Sequence, residues 1–354
     1  MTQRLSSRVF AGRAGELEEL VAAMEQAAAG VAIVALVGGE AGIGKSRLLG
    51  ELAARAAERG GARVLWGQCA RLGEAAIPLL PVAEALRDLE AGGDSERVLD
   101  AVAPPPSGSA SAPFAAGPVA RLHALVLDRL ERAAAAVPVL LVLEDLQWAD
   151  RSTLDLLAFL ARRLRRERIL IVASYRSDEV GRRPGLRQLL ADVATAPTGQ
   201  RLELGGLVRG QMREQLTSIL GAPPPEELLQ AIFTRSEGNP FFAEELAAVA
   251  ATGAPEGLST TLRDTLLARV AILDAGAHAV VRVAAAGGRR VHHRLLAAAA
   301  GLPEPQLTQA LRAAVSHHVL MAHDDGFAFR HALLQEVVYD ELLPGERARL
   351  VAGA

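Results

Sequence analysis

The sequence predicts an α/β protein with a parallel β-sheet, followed by a mainly helical region. Three observations lead to this prediction. Short apolar runs alternate with amphipathic helical patterns up to residue 205, which is typical of βαβ units with right-handed crossovers. A glycine-rich loop joins the first apolar run to the first helical pattern. Beyond residue 205 the patterns are almost entirely helical, so the sheet is expected to end there.

The first predicted strand, residues 31–37, leads into a loop with a recognisable pattern, Gly39-Glu40-Ala41-Gly42-Ile43-Gly44-Lys45-Ser46. It matches Gly-x4-Gly-Lys-Ser/Thr, the P-loop, whose backbone N–H groups surround phosphate oxygens while the lysine reaches the outer phosphates and the serine ligates Mg²⁺. The helix predicted over 47–59 turns the positive end of its dipole to the anion. We therefore expect phosphate to bind Gly39, Glu40, Ala41, Gly42, Ile43, Gly44, Lys45, Ser46 and Arg47.

Lys45 is the only lysine in the 354 residues, and the other 37 cationic side chains are arginine. A compact ammonium group can reach a phosphate where a planar guanidinium would not fit. This distribution supports a phosphate-binding role for the loop.

Four further strands are predicted at residues 63–67, 138–143, 169–174 and 201–204, with helical patterns between them. The third strand delivers Glu144 and Asp145 at its carboxyl end. Behind a P-loop, such an acid pair predicts a Walker B arrangement, in which one acid holds Mg²⁺ and the other polarises the attacking water. We expect Ser46, Glu144 and Asp145 at the metal, with Asp145 in the position of the base.

Two details bear on catalysis. Asp145 is one methylene shorter than glutamate, so we expect slow hydrolysis. Arg176 follows the fourth strand, where a cation can contact a γ-phosphate; the alternative is a surface arginine. The predicted catalytic residues are thus Asp145, Glu144 and Arg176.

The region after residue 205 predicts two helical parts. Helical patterns at 211–220, 226–235 and 241–250 precede a gap near Gly253–Gly257, and four more follow over 259–317. A hairpin with strands at 318–322 and 327–330 and a last helix at 332–342 predict a winged helix. We therefore expect a nucleotide-binding core at 1–205, a helical part at 206–256 and a winged-helix-like domain at 257–354.

Composition limits the function further. The net charge of −3 argues against a nucleic-acid footprint over the whole chain. Arginines at 162, 163, 165, 166 and 168 are interpreted as the solvated face and end of a helix, with an acidic partner site as the alternative. The single cysteine, Cys69, excludes an internal disulfide. No apolar run approaches a membrane span or a signal peptide, so we expect a cytoplasmic protein without a membrane partner.

Several motifs resemble the NTPase module of large ATP-binding LuxR-type transcriptional regulators, which are STAND-class P-loop ATPases with an origin-recognition-like AAA domain. The motifs are Phe10-Ala11-Gly12-Arg13, Leu143-Glu144-Asp145-Leu146-Gln147-Trp148-Ala149-Asp150, Ser174-Tyr175-Arg176-Ser177-Asp178-Glu179, Glu237-Gly238-Asn239-Pro240-Phe241-Phe242 and 329–339. They follow the family order over nearly the whole chain. Two positions differ: Ala14 stands where the family usually has Glu, and Gln147 where it usually has His.

The resemblance implies a five-stranded sheet of order 5-1-4-3-2, a helical lid at 206–256 and further nucleotide contacts. By this resemblance, Arg13 lies near the base, Pro240 in the lid packs on adenine, and His331 contacts phosphate in the closed state. Simpler interpretations are a helix breaker for Pro240 and a helix cap for His331. Full family members continue into a helical-repeat sensor and a DNA-binding helix-turn-helix, whereas this chain ends at Ala354. We therefore expect a fragment or a stand-alone module, with DNA binding only through domains that this chain lacks.

The leading hypothesis is a regulatory switch that binds ATP or ADP with Mg²⁺, hydrolyses ATP weakly and self-associates on ATP binding. The inducer and output domain stay open, and a cyclase or kinase output is one alternative. Another is an origin-recognition-like ATPase that acts on DNA as a ring. A small-molecule kinase is disfavoured, because no motif resembles a phosphoacceptor pocket.

Overall fold

The computed structural model describes residues 10–70, 78–87, 89, 118–251 and 258–352. The chain divides into two compact units. The first unit is Arg13–Gly205, and the second is Gly206–Ala354 together with Met1–Gly12. The gap predicted near Gly253–Gly257 lies outside the described residues.

The first unit alternates strands and helices, as predicted. Its strands are β1 (Ile33–Gly39), β2 (Arg63–Gln68), β3 (Val139–Glu144), β4 (Ile169–Ser174) and β5 (Gly199–Leu204). Its helices are α1 (Ala14–Ala28), α2 (Lys45–Gly60), α3 (Leu80–Arg87), α4 (Pro118–Ala136), α5 (Arg151–Arg163) and α6 (Pro184–Thr195). Short 3₁₀ segments at Leu146–Trp148 and Ser177–Arg182 follow β3 and β4.

The five strands form one parallel sheet in the order β2-β3-β4-β1-β5. This confirms the predicted order 5-1-4-3-2 and the P-loop NTPase fold class. Strand β1 lies between β4 and β5, with Val37 opposite Ser174 and Gly38 opposite Glu203. Because parallel strands end at the same edge, this order brings the loops after β1, β3 and β4 together.

The burial of the strands explains their sequence patterns. Every residue of β1, β3 and β4 is buried. At the sheet edges, β2 buries two of its six residues and β5 only its last. Helices α1 and α2 cover one face of the sheet, and α3 to α6 cover the other. Continuous apolar runs are what strands buried on both faces require.

The second unit is mainly helical. Its helices are α7 (Arg209–Leu220), α8 (Glu226–Ser236), α9 (Pro240–Ala251), α10 (Thr260–Val270), α11 (Ala275–Ala286), α12 (His293–Ala300), α13 (Glu304–Ser316), α14 (Ala332–Asp340) and α15 (Pro344–Ala352). The predicted hairpin is present as β7 (Leu320–His323) and β8 (Gly326–Phe329). A further strand, β6 (Arg290–His292), pairs with β8, so an antiparallel sheet of order β6-β8-β7 results.

One apolar cluster runs through the second unit from Met212 in α7 to Val338 in α14. The predicted lid residues and the predicted winged-helix residues therefore share a core. The subdivision near residue 257 and the winged-helix identity of the last part remain predictions.

Three of the five clustered arginines make structural contacts. Arg162 pairs with Asp192 at 2.7 Å, Arg165 donates to its neighbour's carbonyl at 2.6 Å, and Arg168 donates to the carbonyls of Ala134 and Ala135 at the end of α4. Arg162 lies in the last turn of α5, whereas Arg165 and Arg168 follow its end. The interpretation of the run as a solvated face and end of a helix stays a prediction. Within the described part of the chain, no helix combines the length and apolar character that crossing a bilayer requires.

Candidate functional site

The loop after β1 has a conformation that only its glycines adopt easily. Gly42 and Gly44 have φ values of 79° and 101°, in the region that side-chain-bearing residues rarely occupy. Gly44 directly precedes α2, which begins at Lys45. The first N–H groups of a helix have no partner within the helix, so this backbone can present amide hydrogens and a positive dipole end to an anion.

Lys45 lies back over its own loop. Its side chain is 7% exposed, and Nζ donates to the carbonyls of Gly39 and Glu40, both at 2.8 Å. Burial, and then the nearby charge of Arg176, lower the pKa of Lys45 to about 8, against the opposing influence of Asp145, Asp178 and Glu203. The ammonium group is therefore poorly solvated, and an anionic ligand would stabilise its charged form.

Ser46 and Glu144 are in direct contact. Ser46 Oγ donates to Glu144 Oε2, although the two residues are 98 positions apart along the chain. The other oxygen of Glu144 accepts a hydrogen bond from Trp66 Nε1 on β2 at 3.1 Å. Glu144 is 8% exposed, so its carboxylate is held by β2 on one side and by α2 on the other.

Asp145 lies just beyond β3, in a left-handed backbone conformation with φ 61° and ψ 48°. Two contacts hold it: its backbone N–H donates to Ser174 Oγ at 3.1 Å, and Gln147 Nε2 donates to Asp145 Oδ1 at 2.7 Å. Left-handed geometry is costly for a residue other than glycine. The predicted base is therefore fixed by the ends of β3 and β4.

Gln147 also connects Asp145 to Arg176. Its Oε1 accepts the backbone N–H of Arg176 at 3.1 Å, and its side chain is 1% exposed. The structure therefore brings Lys45, Ser46, Glu144, Asp145 and Arg176 together at one edge of the sheet.

Arg13 lies beside the same loop. Its guanidinium donates to Ile43 O at 3.2 Å, to the carbonyl of Gly205 and to Glu16 at 2.7 Å. Arg13 is buried, and its Nε has no hydrogen-bond partner. It thus links the P-loop to the last residue of the first unit, and a contact with a nucleotide base remains a prediction.

Pro240 and His331 belong to the second unit. Pro240 begins α9, after a turn in which Asn239 Oδ1 accepts the backbone N–H groups of Phe241 and Phe242. His331 precedes α14, is 5% exposed and packs edge-on against Phe242 with ring centroids 5.3 Å apart. Their predicted nucleotide contacts remain predictions.

Glu237 connects these two segments of the second unit. It has a left-handed backbone with φ 52°, and its Oε1 accepts from Arg289 and from the backbone N–H of Ala332, the latter at 3.3 Å. His331 Nδ1 lies 3.6 Å from Glu237 Oε2. Burial opposes ionisation, but hydrogen bonding to His331 and the charge of Arg289 outweigh it, so the pKa of Glu237 is lowered.

Sequence patterns did not identify three residues that shape the site. Trp66 and Ser174 contact Glu144 and Asp145, and Glu203 lies beside Gly38 in the sheet register. Ser174 could have been found from its place at the end of β4. Trp66 and Glu203 could not, because their contacts depend on the register between neighbouring strands and on the direction of each side chain.

The residues at this edge suit a nucleoside triphosphate with Mg²⁺. One ammonium group, a helix N-terminus and a glycine loop match phosphate oxygens. A serine hydroxyl and a carboxylate are hard oxygen ligands, and Mg²⁺ is commonly held by one or two carboxylates plus substrate phosphates. Among the residues that the structure describes, no group of three or more His, Cys, Asp or Glu side chains is placed to hold a metal ion.

The fold and this edge define a P-loop NTPase, and comparison with known proteins agrees. Residues 9–172 match the family model described as an AAA ATPase domain. A search of curated proteins gave no match.

Solved structures are similar over most of the chain. A Walker-type ATPase of Pyrococcus abyssi has a TM-score of 0.60 at 16% identity, covering 96% of this chain and 99% of that chain. This similarity supports the fold. A STAND protein with a tetratricopeptide repeat sensor from Pyrococcus horikoshii has a TM-score of 0.42 at 15% identity, covering 99% of this chain and 46% of that one. An ORC2 protein of Aeropyrum pernix has a TM-score of 0.41 at 17% identity, covering 98% of each chain.

Proposed function

We propose that the chain is an ATP-binding regulatory switch with slow Mg²⁺-dependent hydrolysis, the nucleotide-binding module of a LuxR-type transcriptional regulator. The observation that carries this proposal is the contact of Ser46 with Glu144 beside Lys45 and Arg176. It joins a phosphate-binding loop to an acidic strand end within one unit.

In this proposal, Lys45 Nζ exchanges its two carbonyl partners for phosphate oxygens. The exchange is favourable because a buried ammonium gains more from an anion than from neutral carbonyls. Ser46 Oγ and Glu144 would hold Mg²⁺, which when bound neutralises phosphate charge. Arg176 would contact the γ-phosphate, which supplies the difference between ATP and ADP.

Slow hydrolysis follows from the state of Asp145. Gln147 donates a hydrogen bond to one of the two carboxylate oxygens of Asp145. The side chain of Asp145 is also one methylene shorter than a glutamate, which would reach farther towards a water. Asp145 would orient water with Oδ2 alone and accept its proton inefficiently. A switch needs a nucleotide state that persists, so weak catalysis suits this role.

The switching part of the proposal concerns the second unit. Pro240 would pack on adenine and His331 would contact phosphate. Glu237 lies beside His331 and three residues before Pro240 in the chain. A ligand shifts a conformational equilibrium only by binding one state better than the other. Different contacts of His331 with ATP and ADP would supply that difference.

The test is nucleotide binding and phosphate release by the purified chain. We expect affinity for Mg²⁺-ATP and Mg²⁺-ADP, phosphate transfer to water alone, and single-turnover hydrolysis well below the usual enzyme range of about 1 to 10³ per second. Two results would contradict the proposal: no affinity for adenine nucleotides, or rapid hydrolysis stimulated by DNA within ATP-dependent rings. Salt-sensitive DNA binding by those rings would favour the origin-recognition alternative.

A further inference from the structure

Glu203, on β5, is surrounded by groups that donate hydrogen bonds to it. Its Oε1 accepts from the Tyr175 hydroxyl and from Arg201 Nη2 at 2.7 Å. Its Oε2 accepts from Ser177 Oγ at 2.7 Å. Burial opposes the charge, but these hydrogen bonds and the charge of Arg201 lower the pKa of Glu203, so the carboxylate is ionised at neutral pH.

Tyr175 and Ser177 lie on either side of Arg176, in the segment that follows β4. Tyr175 is completely buried, and its backbone N–H donates to Val37 O at 3.0 Å. The residues before and after Arg176 therefore both donate a side-chain hydrogen bond to the carboxylate of Glu203. The backbone N–H of Arg176 itself donates to Gln147 Oε1.

The carboxylate reaches this place because β1 has a glycine there. A Cβ added at Gly38 would lie 2.2 Å from Glu203 Oε1 and 2.4 Å from Oε2. The side chain of Glu203 thus crosses over the β1 backbone one residue before the P-loop begins. The charge of Glu203 is also close enough to Lys45 to oppose the lowering of its pKa.

We infer that Glu203 is a positioning residue that fixes Arg176 against the γ-phosphate position and so determines the preference for ATP over ADP. It acts through Tyr175 and Ser177, without touching the nucleotide. Strand β5 ends one residue after Glu203, and the chain then passes through Gly205, where the first unit ends. The segment that carries Arg176 is thereby tied to the strand that leads out of the unit.

This inference rests on the proposed function, because it requires that ATP bind at the P-loop. The experiment measures dissociation constants for Mg²⁺-ADP and for a non-hydrolysable ATP analogue with Mg²⁺. It uses the parent chain, Glu203→Gln, Arg176→Ala and the double variant. Asp128→Asn, which removes a carboxylate from an exposed ion pair with Arg132 on α4, is the matched control.

We expect Glu203→Gln to weaken binding of the ATP analogue about tenfold and binding of ADP less than about twofold. Such a difference lies in the range typical of coupling between sites. The double variant should bind the analogue within about twofold of Arg176→Ala, since the two residues act as one unit. Asp128→Asn should bind both nucleotides like the parent. Equal weakening of both nucleotides by Glu203→Gln, no change, or additive losses in the double variant would overturn the inference and leave the proposed function standing. A parent chain that binds neither nucleotide would overturn both.

If Glu203→Gln fails to fold, Ser177→Ala replaces it, because this variant removes only the hydrogen bond to Oε2. We expect a loss of about threefold for the ATP analogue and unchanged ADP binding. Equal effects on the two nucleotides would then contradict the inference.

Discussion

The P-loop edge of the first unit and the Glu237 turn of the second differ in how they are assembled. At the edge, Ser46 and Glu144 meet because parallel strands end together. In the second unit, Glu237 contacts Arg289 and Ala332 through a turn between two helices. A regular sheet brings distant residues together by its topology alone, whereas the helical unit depends on individual side chains.

This difference predicts how each region responds to substitution. Site residues at the sheet edge lie at or just beyond the ends of the buried strands, in loops and at the start of α2. Their substitution should therefore alter binding or catalysis and leave the fold intact. Glu237 links segments 95 residues apart, so its substitution should alter stability. Four predictions test this contrast, from the largest expected effect to the smallest.

Lys45→Ala should remove nucleotide binding without unfolding the chain. Because the phosphate loses a buried ammonium partner, the affinity for Mg²⁺-ATP should fall by at least about 100-fold, or ~2.7 kcal/mol. Titration calorimetry measures this, with circular dichroism as the check on folding. Arg55→Ala, on the same helix in a partly exposed pair with Glu51, is the control and should bind like the parent. Unchanged affinity in Lys45→Ala would show that phosphate binds elsewhere.

Asp145→Asn should separate binding from hydrolysis. The variant keeps the size of the side chain and its contact with Gln147 but loses the proton acceptor. We expect single-turnover hydrolysis to fall about 100-fold, with ATP affinity within about threefold of the parent. Phosphate release measured at saturating Mg²⁺-ATP tests it. A rate equal to the parent would exclude Asp145 as the base.

ATP affinity should depend on pH through Lys45. The free protein has a lowered pKa of about 8 for this group, and only the protonated form attracts phosphate. Affinity should thus be level below pH 7 and fall as pH rises through 8, by up to about tenfold per pH unit. Lys45→Ala is the control, because any nucleotide binding that it keeps should show no fall in affinity as pH rises through 8. A parent profile that is flat to pH 9.5 would contradict the role of Lys45.

Glu237→Gln should destabilise the second unit modestly. The carboxylate is a quarter exposed, so solvent screening limits the loss to about 1 kcal/mol. Since its pKa is lowered in the folded protein, this contribution is present at neutral pH and is lost as pH falls through the folded pKa. Urea unfolding at pH 7 and at low pH measures it. A destabilisation equal at both pH values would show that the charge plays no part.

The sequence predicts the first unit well because two strong signals coincide there. Continuous apolar runs locate β1, β3 and β4, and a motif of fixed spacing locates the phosphate loop. Helix α1 was not predicted, although it buries Leu17, Leu20 and Met24 at helical spacing. Strand β6 has three residues, too few for any pattern, and pairs only because β8 lies beside it.

Site residues divide in the same way. Motifs identify Lys45, Ser46, Glu144 and Asp145. The role of Glu203, in contrast, depends on Gly38, which lies opposite it on the neighbouring strand. Such lateral neighbours are set by the register between adjacent strands, which the residues of a single strand do not encode. Gln147 stood out in the sequence only as a difference from a family pattern, and its two hydrogen bonds became visible in three dimensions.

The measurement that tests the central claim most directly is the Mg²⁺ dependence of ATP binding in the parent chain and in Ser46→Ala. If Ser46 and Glu144 hold the metal beside the phosphates, Mg²⁺ should strengthen ATP binding by the parent about tenfold or more. Ser46→Ala should lose most of that gain while keeping its metal-free affinity. Binding that is absent in the parent, or that responds to Mg²⁺ equally in both proteins, would contradict the account.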